Sequence, residues 1–128
     1  MIKLDLHACG LNDALLLRIL PVLVTQCPGL RELDLSGNAL TGAVMCDLVA
    51  TVLQSDTLRL QRLHLAGNKL KREGLRTLAA GASRHAFLEV LDVTDTGADQ
   101  ESLQSVFEAL TVRIAFCIDA HIFPFFFL

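Results

Sequence analysis

Residues able to do chemistry are few in this chain, and they lie far apart in sequence. The four histidines occur singly, at His7, His64, His85 and His121. The four cysteines are Cys9, Cys27, Cys46 and Cys117, and no two of them form a Cys-x-x-Cys pair. Metal and thiol redox sites usually place such groups at short, fixed spacings. The sequence therefore predicts no metal and no cofactor.

Catalytic motifs are absent as well. The chain has no GxxxxGK[ST] or GxGxxG stretch that would hold nucleotide phosphates, and no GxSxG or HExxH stretch for hydrolysis. Cys9 is interpreted as a turn residue rather than a nucleophile. We therefore expect that the protein is not an enzyme.

Size and charge limit the other classes of function. The 128 residues suffice for one domain with a modest core. The net charge of −3 gives no overall field that would attract nucleic acid or anionic lipid. Lys3, Asp5 and His7 interrupt any apolar signal segment near the N-terminus. We expect an intracellular protein, cytoplasmic or nuclear, whose cysteines are reduced and structural.

A repeat organises the chain. Residues 30–40 read LRELDLSGNAL and residues 60–70 read LQRLHLAGNKL, so that Leu, Leu, Leu, Asn and Leu recur at the same five offsets. Weaker copies occupy residues 1–11 and 88–98. The second offset falls on Leu4, Leu33, Leu63 and Leu91, at intervals of 29, 30 and 28 residues. Self-similarity at such a period indicates a repeat architecture.

Each copy predicts a short strand and a turn, and the segment after it predicts a helix. Alternation sends Leu33 and Leu35 to one face of the strand and the intervening polar residues to the other. Helical spacing of apolar residues predicts the covering helices at 13–25, 41–54, 71–83 and 99–110. Pro21 is expected to kink or divide the first helix, because proline deletes one backbone hydrogen bond.

The fourth offset of the repeat is the one that is never leucine. Asn38 and Asn68 stand where the chain leaves the strand, and their amides can hydrogen-bond the backbone of that bend. Cys9 and Thr96 hold the same offset in the outer copies, where a thiol or hydroxyl is a weaker substitute. The five offsets are therefore the positions that each turn of a stacked repeat must bury or satisfy.

The pattern resembles the ribonuclease-inhibitor-like leucine-rich repeat family, with repeats at about 1–29, 30–59, 60–87 and 88–111. The resemblance implies an α/β solenoid with parallel strands on the concave face and helices on the convex face. In this family the concave face usually binds a protein partner. The same repeat type occurs in nucleotide-binding leucine-rich-repeat receptors, in GTPase-activating proteins of nuclear transport and in Tonsoku-like scaffold proteins.

Outward strand positions form three columns across the stack. The first column is Lys3, Glu32, Arg62 and Val90; the second, here called the middle column, is Asp5, Asp34, His64 and Asp92; the third is His7, Ser36, Ala66 and Thr94. Neighbouring strands lie about 4.8 Å apart. Like charges in the acidic middle column therefore repel each other unless a cation relieves them.

Two interpretations of this face are open. It is either a docking strip for Lys or Arg side chains of a partner protein with a basic surface, or an ordinary solvated polar face. The predicted partner-binding residues are Lys3, Asp5, His7, Glu32, Asp34, Ser36, Arg62, His64, Asp92 and Thr94. His7 and His64 share the face two strands apart, and solvated surface histidines are favoured over a metal site.

Charge is uneven along the chain. Residues 59–84 carry seven basic side chains and one acid, whereas residues 85–112 carry six acids and no Lys or Arg. A nucleic-acid patch is one interpretation of the basic block, but no aromatic residues interleave it. Neutralisation between neighbouring repeats is simpler, with Lys71 facing Asp99 at the starts of their helices. We therefore do not expect nucleic acid as a partner.

Both ends depart from the repeat. Met1 falls on the first offset, so that no capping segment precedes it, and we expect self-association through uncovered edges. Residues 112–128 form an atypical hydrophobic tail that holds five of the seven phenylalanines. The tail is interpreted as a variant terminus without selected function, as a hydrophobic end-cap or, least favoured, as a membrane anchor. It is shorter than the roughly 20 residues of a spanning helix.

The sequence as a whole predicts a protein–protein interaction module that binds on the concave face. The alternative is a regulatory or sensing repeat segment of an innate-immune nucleotide-binding receptor. Flanking sequence would distinguish the two, since a nucleotide-binding module belongs to the receptor and ankyrin-like repeats belong to the scaffold.

Overall fold

Six strands in chain order form one sheet in the computed structural model, which describes residues 2–55, 57–82, 87–97, 115–118 and 121–124. The strands are β1 (Ile2–Asp5), β2 (Leu30–Asp34), β3 (Arg62–His64), β4 (Val90–Asp92), β5 (Ala115–Ile118) and β6 (His121–Pro124). Strands β1 to β5 pair in parallel, and β6 pairs antiparallel with β5. The backbone of the predicted tail therefore extends the sheet, although its sequence carries no leucine repeat.

The register of the first four strands confirms the alignment of the repeats. Leu4 pairs with Leu33, Leu33 with Leu63 and Leu63 with Leu91. The shared offset of the sequence is thus a shared position in the sheet. Side chains with the same offset lie beside each other on one face, because alternation along a strand has a period of two.

Two helices lie where helical spacing predicts them. Helix α1 (Asp13–Gln26) begins after Asn12, whose side chain accepts a hydrogen bond from the Leu15 N–H. Helix α3 (Lys71–Ala82) follows β3. Pro21 does not divide α1, so that part of the prediction is wrong. The proline removes the bond to the carbonyl of Leu17, and Leu17 is exposed, so that water can bind this carbonyl.

The segment predicted as a helix over 41–54 is helical but changes its winding. A 3₁₀ turn at Gly42–Val44 leads into a short helix α2 (Met45–Leu48) and then a π turn at Val49–Leu53. The N–H of Gln54 donates to the carbonyl of Val49, five residues back. Three of the five residues in the π turn are buried. The segment covers the sheet as predicted, without being a regular α-helix.

Leucine offsets and helix faces together form the core. The buried repeat residues, each at most 6% exposed, are Leu11, Leu30, Leu33, Leu35, Leu40, Leu60, Leu63, Leu65, Leu70, Leu88, Leu91 and Val93. Helix α1 contributes Leu16, Leu20 and Leu23, and α3 contributes Leu75, Leu78 and Ala79. Leu4 and Leu6 are partly buried against this core. The predicted division of strand faces is therefore correct.

Each of the first four strands ends in a turn with the same unusual backbone. Ala8, Gly37, Gly67 and Asp95 stand four residues after the paired leucine, with φ of 51°, 69°, 72° and 51°. A positive φ favours glycine, which the two central repeats use. The recurrence of this conformation shows that the four turns are structurally equivalent, including the two whose sequence pattern is weak.

The two asparagines link neighbouring repeats. Asn38 Nδ2 donates to the carbonyl of Leu35 at 2.8 Å and to that of Leu6, in the preceding repeat, at 3.0 Å. Its Oδ1 accepts from the N–H groups of Cys9 and Leu11, each at 3.0 Å. The prediction that the amide hydrogen-bonds its bend is confirmed, and the bonds to the preceding repeat are additional.

Asn68 repeats the arrangement at a deeper position. Its Nδ2 donates to the carbonyls of Leu65 at 3.0 Å and Leu35 at 2.9 Å, and its Oδ1 accepts from the Leu40 N–H at 3.1 Å. Asn68 is 1% exposed, so water cannot replace these bonds. Thr96, at the same offset, donates to the carbonyl of Val93 within its own turn.

Leu35→Ala and Leu65→Ala should each lower the free energy of unfolding by about 2–5 kcal/mol, because each removes a fully buried side chain between sheet and helices. Chemical denaturation measures the loss. Leu17→Ala, on the exposed face of α1, is the matched control and should cost much less. A loss below about 0.5 kcal/mol at both core sites contradicts the register.

Asn68→Ala should lower the free energy of unfolding by about 3 kcal/mol or more, because it leaves the buried Leu40 N–H and two carbonyls without their partner. Urea denaturation measures this loss. Asn12→Ala, which removes the exposed cap of α1, is the control and should cost about 1 kcal/mol. An equal loss in the two variants would show that the inter-repeat bonds add nothing.

Candidate protein-binding face

The predicted columns exist as rows of neighbouring residues. Lys3, Glu32, Arg62 and Val90 are in register across β1 to β4, and so are Asp5, Asp34, His64 and Asp92 of the middle column. Most members of the predicted binding set thus share one strand face. That these residues bind a partner stays a prediction.

The third column lies in the turns that follow the strands. Backbone bonds from Ala8 to Ser36, from Gly37 to Ala66 and from Gly67 to Thr94 keep these turns in the order of the strands. Exposure differs along the column, since His7 is exposed whereas Ser36 is only 9% exposed. Ser36 therefore offers a partner little surface, although it was predicted as a binding residue.

The aspartates of the middle column each shape a turn. In each case Oδ1 accepts a hydrogen bond from the backbone N–H two residues ahead. Asp5 accepts from His7 and Asp34 from Ser36, both at 2.9 Å, and Asp92 accepts from Thr94 at 3.0 Å. Such bonds favour the bend over a continued strand. The sequence signal for these turns is an Asp two residues before His7, Ser36 and Thr94, and the sequence analysis did not identify it. In Asp5 and Asp34 this turn bond ends on Oδ1.

His64 is not the solvated surface histidine that the sequence favoured. Its Nε2 lies 2.8 Å from Glu32 Oε1 on β2, and its Nδ1 lies 3.8 Å from Asp92 Oδ2 on β4. The first is a hydrogen bond, and the second is a longer ion-pair contact. The side chain of Glu32 is 11% exposed, because His64 and Lys3 (Nζ 4.0 Å from Oε1) flank it. His7 is exposed, as expected.

Carboxylates on two strands favour the charged imidazole. Asp92 contributes most to raising the pKa of His64, followed by Glu32 and the charge of Asp34, while partial burial acts in the opposite direction. Burial acts to raise the pKa of Asp92, but His64 and the hydrogen bonds from Thr94 lower it overall. A protonated His64 thus supplies, from inside the protein, a cation that relieves repulsion in the middle column.

Asp34 is held ionised by its own turn. Burial acts to raise its pKa, but the hydrogen bonds from Ser36 and the nearby His64 and His7 lower it overall. Its carboxylate is therefore negative over the whole neutral range. Together with the exposed Asp5 in register beside it, Asp34 forms the accessible acidic part of the face.

A metal site does not emerge from the described residues, in which no three His, Cys, Asp or Glu side chains have suitable geometry. Cys9, Cys27 and Cys46 are free thiols. Within the described ranges, no helix has both the length and the apolar character that crossing a bilayer requires.

The structure describes only part of the basic block (59–84) and of the acidic block (85–112). Lys71 lies at the start of α3 as predicted, and its N–H donates to the Thr96 carbonyl at 2.9 Å. Asp99, its predicted ion-pair partner, and the predicted helix at 99–110 lie outside the described residues. Arg59 stacks over the ring of Phe87, 5.1 Å from its centroid, so one member of the basic block has an aromatic neighbour that the sequence analysis did not find.

Comparison with known proteins agrees with this geometry. The sequence model of the leucine-rich repeat family matches residues 26–43 and 60–79, which contain β2, β3 and both asparagines. The two matched segments are leucine-rich repeats. Over 66 residues, 52% of its length, the chain is 44% identical to the Tonsoku-like protein of Mus musculus.

These leucine-rich repeats correspond to a small part of that mouse relative, since the match covers 5% of its length. The type of longer protein from which such repeats come, receptor or scaffold, therefore stays a prediction. So do the intracellular location, the repeat boundaries and the self-association through uncovered edges.

The contact of His64 with two carboxylates predicts a pH-dependent stability. Its pKa is raised from an ordinary value of 6.5, so its stabilisation is complete below that value and is lost as the pH rises through the higher pKa of the folded state. His64→Gln should lower the free energy of unfolding by about 1 kcal/mol near pH 6 and by less near about pH 9.

Urea denaturation of both proteins at the two pH values measures this difference. His7→Gln, at an exposed position on the same face, is the control and should stay within about 0.5 kcal/mol of the unsubstituted protein. A loss in His64→Gln that is the same at both pH values, or that grows with pH, would contradict the ion-pair geometry.

Proposed function

We propose that this leucine-rich repeat chain is a protein-interaction module that binds a basic segment of a partner protein along its strand face. The observation that carries the proposal is the in-register pair of Asp5 and Asp34 at the β1–β2 end of the middle column. Their carboxylates stand on adjacent strands, whose backbones lie about 4.8 Å apart, and this arrangement suits one Lys or Arg side chain placed between them.

The contacts and the exposure of the acidic residues favour the β1–β2 end of the middle column as the binding position. Glu32 is nearly buried and already contacts His64, and Asp92 lies against the other side of the same imidazole. Asp5 is exposed and Asp34 is half-buried, and the structure gives each a bond from its own turn through one oxygen. A partner cation would therefore meet Asp5 and Asp34 with the least displacement of existing contacts.

The proposal is a binding role rather than a catalytic one. A rigid sheet that presents fixed carboxylates is pre-organised, so a partner would lose little affinity to ordering of this surface. The family match supports a scaffold that binds protein. The sensing role in an innate-immune receptor stays a prediction, because no feature of the described face favours it.

A capped octapeptide of alternating lysine and glycine tests the proposal, because an extended strand of this composition places all lysines on one face. Fluorescence anisotropy with the full chain should show binding that weakens as salt is added. The double variant Asp5→Asn/Asp34→Asn should lose about tenfold in affinity, which corresponds to about 1.4 kcal/mol for two partly exposed pairs. Asparagine retains the oxygen that accepts the turn N–H groups.

Asp47→Asn/Glu73→Gln, which removes two negative charges at exposed positions of α2 and α3, is the matched control and should bind like the unsubstituted chain. A peptide of alternating glutamine and glycine should not bind. Equal affinities for Asp5→Asn/Asp34→Asn and for the Asp47→Asn/Glu73→Gln control would mean that the peptide is attracted by overall charge and not by this face.

A further inference from the structure

His64 lies beside Asp34, one of the two carboxylates that the proposed partner would use. It stands in the middle column between Asp34 on β2 and Asp92 on β4, and its Nε2 is 2.8 Å from Glu32 Oε1. A protonated imidazole therefore places a positive charge next to Asp34, and this charge repels a Lys or Arg side chain of a partner. A neutral imidazole carries no such charge.

The charge balance of the face makes this competition significant. The eight strand residues of the first two columns contain four acids and two basic residues, so their net charge is −2 when His64 is neutral. Protonation of His64 halves it to −1. For a cationic ligand within a few ångströms, such a change is large, because partly buried charges are poorly screened by salt.

The other charged groups around His64 do not cancel the effect. From β2, Glu32 and Asp34 face it; from β4, Asp92 faces it, and Val90 carries no charge. On its own strand Arg62 is exposed, and Lys3 of β1 contacts the same Glu32 oxygen at 4.0 Å. The three carboxylates outnumber these two cations.

We propose that His64 is a pH-dependent competitor on the strand face, so that a basic partner is bound more tightly when the imidazole is neutral than when it is protonated. This inference rests on the proposed function. Binding of the cation and protonation of His64 oppose each other, so by linkage each weakens the other equally. Affinity for the partner therefore rises with pH through the titration of His64.

The test measures affinity for the lysine–glycine octapeptide between about pH 5.5 and about pH 8.5 at constant ionic strength. For the unsubstituted chain we expect affinity to rise about two- to fivefold over this range, the effect of one exposed ion pair. His64→Gln should show a smaller rise than the unsubstituted chain and should bind more tightly than that chain at the acidic end. A flat profile is not required, because the charge of His7 also reaches Asp34.

The outcomes separate the inference from the proposed function. Peptide binding whose pH profile is the same in His64→Gln and in the unsubstituted chain overturns the inference and leaves the proposed function intact. No binding by either protein at any pH overturns both.

A second measurement does not depend on the folding of a variant. Proton NMR of the imidazole ring in the unsubstituted chain should give a lower pKa for His64 when the octapeptide is at saturation than when it is absent. An unchanged value with peptide bound overturns the inference.

Discussion

The structure depends on backbone groups that no strand or helix can satisfy at the bend after each strand. The chain must leave the sheet there while its N–H and C=O groups remain buried, and a buried group without a partner costs about 1–3 kcal/mol. The side-chain amide of asparagine has both a donor and an acceptor, so it can satisfy two kinds of group at once. Asn68 does so while 1% exposed, and Asn38 while partly buried.

Because each amide also reaches into the preceding repeat, it ties the spacing of the repeats to the closing of each turn. Asn68 bonds both Leu65 of its own strand and Leu35 of the neighbouring one. A slip of one residue would break these bonds and would also turn the leucines toward solvent. The leucine ladder supplies most of the burial, and the asparagines allow only one register.

That register produces the candidate site. Asp5, Asp34, His64 and Asp92 come from four repeats and are neighbours only because their leucines are paired. Three of the four also close their own turns through a carboxylate oxygen. The residues that would bind a partner are therefore held in place by the fold itself.

The repeats, the strand register and the role of the asparagines could be predicted, because each follows from a pattern that recurs along the chain. The contact between His64 and Glu32 could not be predicted in the same way. In register, Glu32 pairs with Arg62 and His64 pairs with Asp34, so the hydrogen bond joins a diagonal pair from different columns. The π turn at Val49–Leu53 was missed for a related reason, since apolar spacing indicates a helix without fixing its winding.

The central claim is that side-chain amides, rather than regular strand pairing, close the turns and fix the repeats. Amide hydrogen exchange at Leu40 and Leu11 tests it most directly, because each N–H donates to an asparagine Oδ1. The account predicts that the Leu40 amide exchanges as slowly as those of Leu33 and Leu63 in the central strands, and that Leu11 exchanges slowly too. Exchange at both positions as fast as at an exposed turn amide would contradict it.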